Sequence, residues 1–155
     1  MNYQYLLDVL HKKKREHRRF HIINCQQDID KHLSANESKS DPKLFEFCLN
    51  KSTDINKIPD LISYKSEKEN FIITVGNVLT INDIEECLSY GINVFFSSTF
   101  DYHLFHYCCL RNCILIPGVY TPSEVMEAYK NGARILKFFP CGTDTSMIIL
   151  RHFQD

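Results

Sequence analysis

Apolar residues gather in six short runs, at 20–23, 44–49, 71–75, 94–98, 113–116 and 135–139, each rich in Ile, Val, Phe or Leu. Runs this short, bounded by polar stretches, read as strands. Apolarity within them is near-continuous rather than alternating, as expected of parallel strands covered on both faces. One carboxylate, Glu46, interrupts the second run, and one ammonium, Lys137, interrupts the last.

Helix patterns lie between the runs. Thr121-Pro122-Ser123-Glu124 offers a capping threonine, a proline at the first helical position and a glutamate three residues after the cap. Val125, Met126 and Tyr129 then mark an apolar stripe, and Asn131-Gly132 stops the helix. Thr80-Ile81-Asn82-Asp83 opens a similar helix that ends at Tyr90-Gly91. Further helices are expected at 27–34, 54–64, 102–111 and 145–153, and the first eighteen residues read as helical, ending in the basic run 12–19. Residues 36–43 and 64–70 are polar loops.

Six βα units in a row imply a parallel sheet with right-handed crossovers. An open doubly wound sheet and a (β/α) barrel both satisfy this. The chain has no G-x-G-x-x-G or Walker motif, which weakens a nucleotide-binding sheet. A complete eight-unit barrel needs at least about 200 residues. The expectation is therefore α/β, an incomplete TIM-type (β/α) barrel of about six units with an N-terminal helix. A single domain spans residues 1–155, with no linker to divide it.

Composition narrows the function classes. Eighteen basic against nineteen acidic residues leave a net charge of −1, so no global excess points to nucleic acid. The run 12–19 is either a phosphate contact or a solvated face beside a helix C-terminus. No apolar run is long enough to span a bilayer, and residues 1–10 lack the pattern of a signal peptide. The expected setting is cytoplasmic, with no membrane partner. The cysteines at 25, 48, 87, 108, 109, 113 and 141 show no C-x-x-C spacing and read as free, mostly buried thiols. His103 and His106 are three apart on one helix, a metal-like spacing, and no metal site is assigned.

In a barrel, loops at the carboxyl ends of the strands build the site. Lys137 lies in Ile-Leu-Lys-Phe-Phe-Pro. Desolvation there would leave more neutral amine to attack a carbonyl, as a Schiff-base lysine requires. Glu46 lies in Leu-Phe-Glu-Phe-Cys, surroundings that suit a proton shuttle. Two other readings stay open from the pattern alone: a structural ion pair between the two inside the barrel, or an amphipathic edge strand with Lys137 in water.

Three segments carry a resemblance: Gly76-Asn77-Val78-Leu79-Thr80, then Leu115-Ile116-Pro117-Gly118-Val119-Tyr120-Thr121-Pro122-Ser123-Glu124, then Leu136-Lys137-Phe138-Phe139-Pro140. Over roughly residues 20 to 150 the chain resembles the 2-keto-3-deoxy-6-phosphogluconate (KDPG) and 4-hydroxy-2-oxoglutarate (KHG) aldolases. The resemblance implies a class I, cofactor-free and metal-independent aldolase on a TIM barrel, a homo-oligomer and usually a trimer. Its small-molecule substrate would be a 2-keto-4-hydroxy acid, split into pyruvate and an aldehyde. Lys137 matches the Schiff-base lysine and Glu46 the proton-moving glutamate. Phe139 matches the phenylalanine packed near the pyruvate methyl.

Departures accompany it. Asn50 stands where the family has the arginine that holds the substrate carboxylate, and an amide cannot make that bidentate, charge-assisted contact. Asn77 replaces a threonine and Ser98 a proline. The sequence ends at Asp155, before the family's last two βα units and their phosphate-binding loops. The open edges expected at 20–23 and 135–139 would then pair with a partner, or mark a fragment or a decaying homologue. A rival to catalysis is accordingly an impaired remnant, or a non-enzymatic binding or oligomerisation module of the same fold.

Overall fold

In this computed structural model, residues 20–23, 28–30, 43–49, 55–67, 71–141 and 148 are described. The expected N-terminal helix, the basic run 12–19, Asn50 and most of the helices expected at 27–34 and 145–153 lie outside them.

Strands β1 (Phe20–Ile23), β2 (Lys43–Cys48), β3 (Phe71–Gly76), β4 (Val94–Phe96) and β5 (Ile114–Ile116) form one parallel sheet in chain order. Short β6 (Gly118–Val119) follows β5 after Pro117 and pairs in parallel with β7 (Lys137–Phe138). The chain from 114 to 119 thus faces β4 with its first half and β7 with its second. Order that follows the sequence, with a helix between β2 and β3, β3 and β4, β4 and β5, and β6 and β7, is the (β/α) barrel pattern. Among the described residues the barrel does not close.

The helices are α1 (Ile58–Glu67, led by a 3-10 turn Ile55–Lys57), α2 (Ile81–Ser89), α3 (Tyr102–Leu110) and α4 (Pro122–Lys130). Both expected capping boxes form. Thr80 Oγ1 accepts from the Asp83 N–H, and Thr121 Oγ1 accepts from the Glu124 N–H, while each acid accepts from its cap's backbone N–H. Gly132 follows α4 with φ +101°, a conformation glycine adopts without a Cβ penalty. The expected apolar stripe on α4 is corrected: Met126 is 50% and Tyr129 55% exposed, and Ala128 is the residue this helix buries. At 3.6 residues per turn, Met126 sits about 200° and Tyr129 about 100° around the helix from Ala128, so burying the alanine leaves both outward.

The period-two rule of strands sorts the core into two faces. Phe45, Phe47, Ile73, Val75, Phe95 and Leu115 join helix residues such as Leu61, Ile84 and Leu104 in the larger cluster. Val94, Phe96, Ile114 and Ile116 pack on the opposite, inner face, with Ile135 against them. Glu46 shares that inner alternation, out of step with Phe45 and Phe47.

The last run falls short of expectation. Pairing covers only Lys137 and Phe138, Leu136 and Ile135 are half-buried, and Phe139 and Pro140 are exposed. With β6 as its only described neighbour, β7 has one edge without a described strand partner, and its side chains are only half-buried. The deep burial inferred from the flanking apolar residues is therefore not found.

Candidate active site

Glu46 enters the site from a strand with neighbours on both sides. It pairs in register with Ile22 on β1 and Thr74 on β3. Thr74 Oγ1 donates to the Phe45 carbonyl at 2.9 Å, tying the two strands beneath the carboxylate. Gly76, opposite Cys48, is required here: a Cβ on it would lie 2.1 Å from Glu46 Oε1. Absence of that side chain makes the space the carboxylate occupies.

Lys137 enters from β7. Its N–H donates to the Pro117 carbonyl at 2.9 Å and the Phe139 N–H donates to Val119 at 3.0 Å, so the strand is anchored on the second half of the 114–119 segment. Gly118 opposes Lys137 and lets the segment press close to β4, since a Cβ there would lie 2.3 Å from the Ser98 carbonyl oxygen.

The two side chains meet. Lys137 Nζ donates to Glu46 Oε1 at 3.0 Å. Glu46 keeps 5% and Lys137 26% of its side-chain surface exposed. The ammonium lies 5.4 Å from the ring centres of Phe96 and Phe139, within cation–π range of both. The pair faces a cleft of about 440 Å³, lined also by Ile22, Cys48, Asn77 and Ser98. Neither the fully enclosed pair nor the freely hydrated lysine describes it. The carboxylate is buried, and the amine spans the boundary between that carboxylate and the cleft.

Asn77 and Ser98 both reach this cleft, and they also bind each other. Asn77 Nδ2 donates to the Leu49 carbonyl at 2.7 Å, and Ser98 Oγ donates to Asn77 Oδ1 at 3.4 Å. The asparagine thereby joins the carboxyl ends of β2, β3 and β4. Its φ of +60° lies in the left-handed region that asparagine tolerates better than most residues. Phe139 is 43% exposed at the rim. Asn50 falls outside the described residues.

Two contributors were not assigned from the sequence. Phe96 supplies a ring beside the amine, and Cys48 Sγ lies 3.7 Å from Glu46 Oε1 as a donor. The signal for Cys48 was present, because residues two apart on a strand share a face. Burial and the Glu46 charge push the Cys48 thiol above its ordinary value, against a smaller opposite pull from Lys137. Among the described residues no group of three His, Cys, Asp or Glu side chains is placed to hold a metal ion. The rings of His103 and His106 instead lie beside Tyr102, the latter stacked at 5.7 Å. No described helix is long and apolar enough to cross a membrane.

Comparison with known proteins places the chain in a family. A family profile described as "Aldolase: KDPG and KHG aldolase" matches residues 47–155. The chain belongs to the KDPG and KHG aldolase family. A probable 2-dehydro-3-deoxy-6-phosphogalactonate aldolase of Rhizobium meliloti (strain 1021) is 32% identical over 69 residues, 44% of this chain and 32% of that protein. A KDPG aldolase of Legionella pneumophila, with pyruvate captured as a covalent carbinolamine, superposes with a TM-score of 0.62 at 24% identity, covering 71% of this chain and 52% of that one. The KDPG aldolase of Zymomonas mobilis ZM4 gives a TM-score of 0.58 at 21% identity, over 71% and 53%. The chain spans about half the length of these solved structures and about a third of the curated relative. The profile match begins just past Glu46, so that residue's case rests on geometry.

Proposed function

We propose that this KDPG/KHG-family chain is a class I aldolase that cleaves a 2-keto-4-hydroxy acid of the KDPG or KHG type to pyruvate and an aldehyde. The observation that carries the reading is the 3.0 Å contact of Lys137 Nζ with Glu46 Oε1 at an open cleft. Proton transfer along that contact converts ammonium and carboxylate into neutral amine and carboxylic acid. The amine attacks the substrate's C2 carbonyl carbon and the C–N bond forms. The carbonyl π pair moves to oxygen, which takes the proton from Glu46. One of the two nitrogen protons then passes by way of Glu46 to that hydroxyl, which leaves as water and gives the protonated imine.

Glu46, again a carboxylate, then removes the proton of the C4 hydroxyl. The C3–C4 bond breaks, its electron pair moves through C2 to the imine nitrogen, and the aldehyde leaves. Protonation of the enamine at C3 and hydrolysis release pyruvate and restore the amine. The iminium is the electron sink, so the scheme itself calls for no metal or cofactor. Asn77 and Ser98 bound the pyruvate end in this reading, Phe139 covers its methyl, and Asn50 holds the substrate carboxylate by single hydrogen bonds. We assign the chain to one domain in the cytoplasm, acting as a homo-oligomer, and by family as a trimer.

Release of pyruvate from KHG and from KDPG tests the proposal. Turnover of either that disappears in Lys137→Met supports it. Folded protein that turns over neither, or a Lys137→Met variant as active as the parent, would overturn it.

A further inference from the structure

Glu46 Oε1 receives two donors. Lys137 Nζ lies at 3.0 Å and Cys48 Sγ at 3.7 Å, a normal reach for sulfur. Glu46 and Cys48 share the inner face of β2, two residues apart, and Gly76 opposite Cys48 leaves the slot into which the carboxylate folds. The oxygen therefore has an ammonium and a thiol as donors, and a glycine opposite that leaves it room.

In the reaction proposed above, the lysine does not stay on that oxygen. Once Nζ is bonded to the substrate carbon and becomes an imine, its donor capacity falls from three hydrogens to one. The thiol remains. Burial and the neighbouring carboxylate both disfavour its thiolate, so at neutral pH it is a proton donor in a hydrogen bond rather than a nucleophile.

We propose that Cys48 is a positioning residue for the aldolase reaction: its thiol donates to Glu46 Oε1 and holds that carboxylate in line with the reacting atoms while Lys137 is bonded to substrate. The proposal rests on the aldolase reading for its consequence and on the observed contact for its geometry. It assigns a directional role to a side chain whose composition alone suggests an inert buried thiol. Serine, a shorter but stronger donor, keeps the function. Alanine and valine remove the donor, valine without opening a cavity.

Two measurements decide it. In the first, kcat and KM for pyruvate release are compared among the parent, Cys48→Ala, Cys48→Val and Cys48→Ser. Loss of one hydrogen bond that matters only after substrate is bound should lower kcat about three- to tenfold in the alanine and valine variants, leave KM within about twofold, and spare the serine variant. An equal loss in all three variants, or none in any, overturns the positioning role.

The second measurement needs no turnover. The rate of iodoacetamide alkylation at Cys48, read by peptide mass mapping at about pH 8, should rise about three- to tenfold in Glu46→Gln and fall in Lys137→Ala. Unchanged rates in both overturn the contact itself. Coupled alkylation in a parent that releases no pyruvate overturns the aldolase reading, and with it the reaction role of Cys48. An active parent with an unaffected Cys48→Ala variant overturns the positioning role alone.

Discussion

The acid and the amine of the pair stand on unlike supports. β2 is six residues long, hydrogen-bonded on both sides, and its Phe45 and Phe47 are fully buried against the helix layer. β7 is two residues long, has one described neighbour, and half-exposes its side chains. In the proposed aldolase reaction, strength of support follows the chemistry each group would do. A carboxylate held in a slot made by Gly76 moves protons best when its direction is fixed. A lysine that must reach a substrate carbon, bond to it and release it needs an opening to the cleft. Firm anchorage on one side and access on the other is what the contrast between the strands supplies.

Breaking the firm side, or the pair it supports, should have the largest effects. Phe47→Ala removes a fully buried ring and should cost about 3–5 kcal/mol, read as a lower urea midpoint. Lys137→Met keeps side-chain bulk but leaves the buried Glu46 carboxylate without its ammonium. With the lysine a quarter exposed, a loss of about 1–3 kcal/mol is expected, alongside loss of turnover. Glu46→Gln should fold, because an amide fits the same slot, yet lower turnover about 10²- to 10⁴-fold. A Glu46→Gln variant of parental activity would show that the pair is structural only.

Smaller effects sharpen the contrast. Thr74→Val deletes the 2.9 Å bond to the Phe45 carbonyl and should cost about 1 kcal/mol, showing how far β2 depends on β3. At the opposite end of the scale, the backbone N–H groups of Thr121 and Tyr120 hold the Glu124 carboxyl below the ordinary carboxylate range, and the Thr121 hydroxyl adds to this. Its folded value lies below its unfolded one, so the cap's contribution is full above the ordinary range and fades as pH falls through the lowered one. The urea midpoint should therefore drop slightly more on acidification in the parent than in Glu124→Gln, an effect discounted by the exposure of this carboxyl.

The same contrast decides what the sequence reveals. Near-continuous apolar runs at β2 and β3 announce themselves because both faces of each strand are covered, and the two capping boxes are local chemistry readable at three-residue spacing. Lys137 and Glu46 stand out because a charge inside an apolar run demands a partner, and the family motifs around Lys137 suggest which. The division at Pro117, the short pairing of β7 and the outward turn of Met126 and Tyr129 depend on which neighbour lies across from each residue, and periodicity carries none of that. Cys48 escaped because an apolar-looking run hides a polar role: its partner is one alternation away, and the reading stopped at burial.

The most direct test of the central claim is incubation with pyruvate followed by borohydride, with the modified residue located by peptide mass mapping. The account predicts one reductively trapped pyruvate at Lys137, faster in the parent than in Glu46→Gln. A trapped adduct on any other lysine, or none on folded protein, would contradict it.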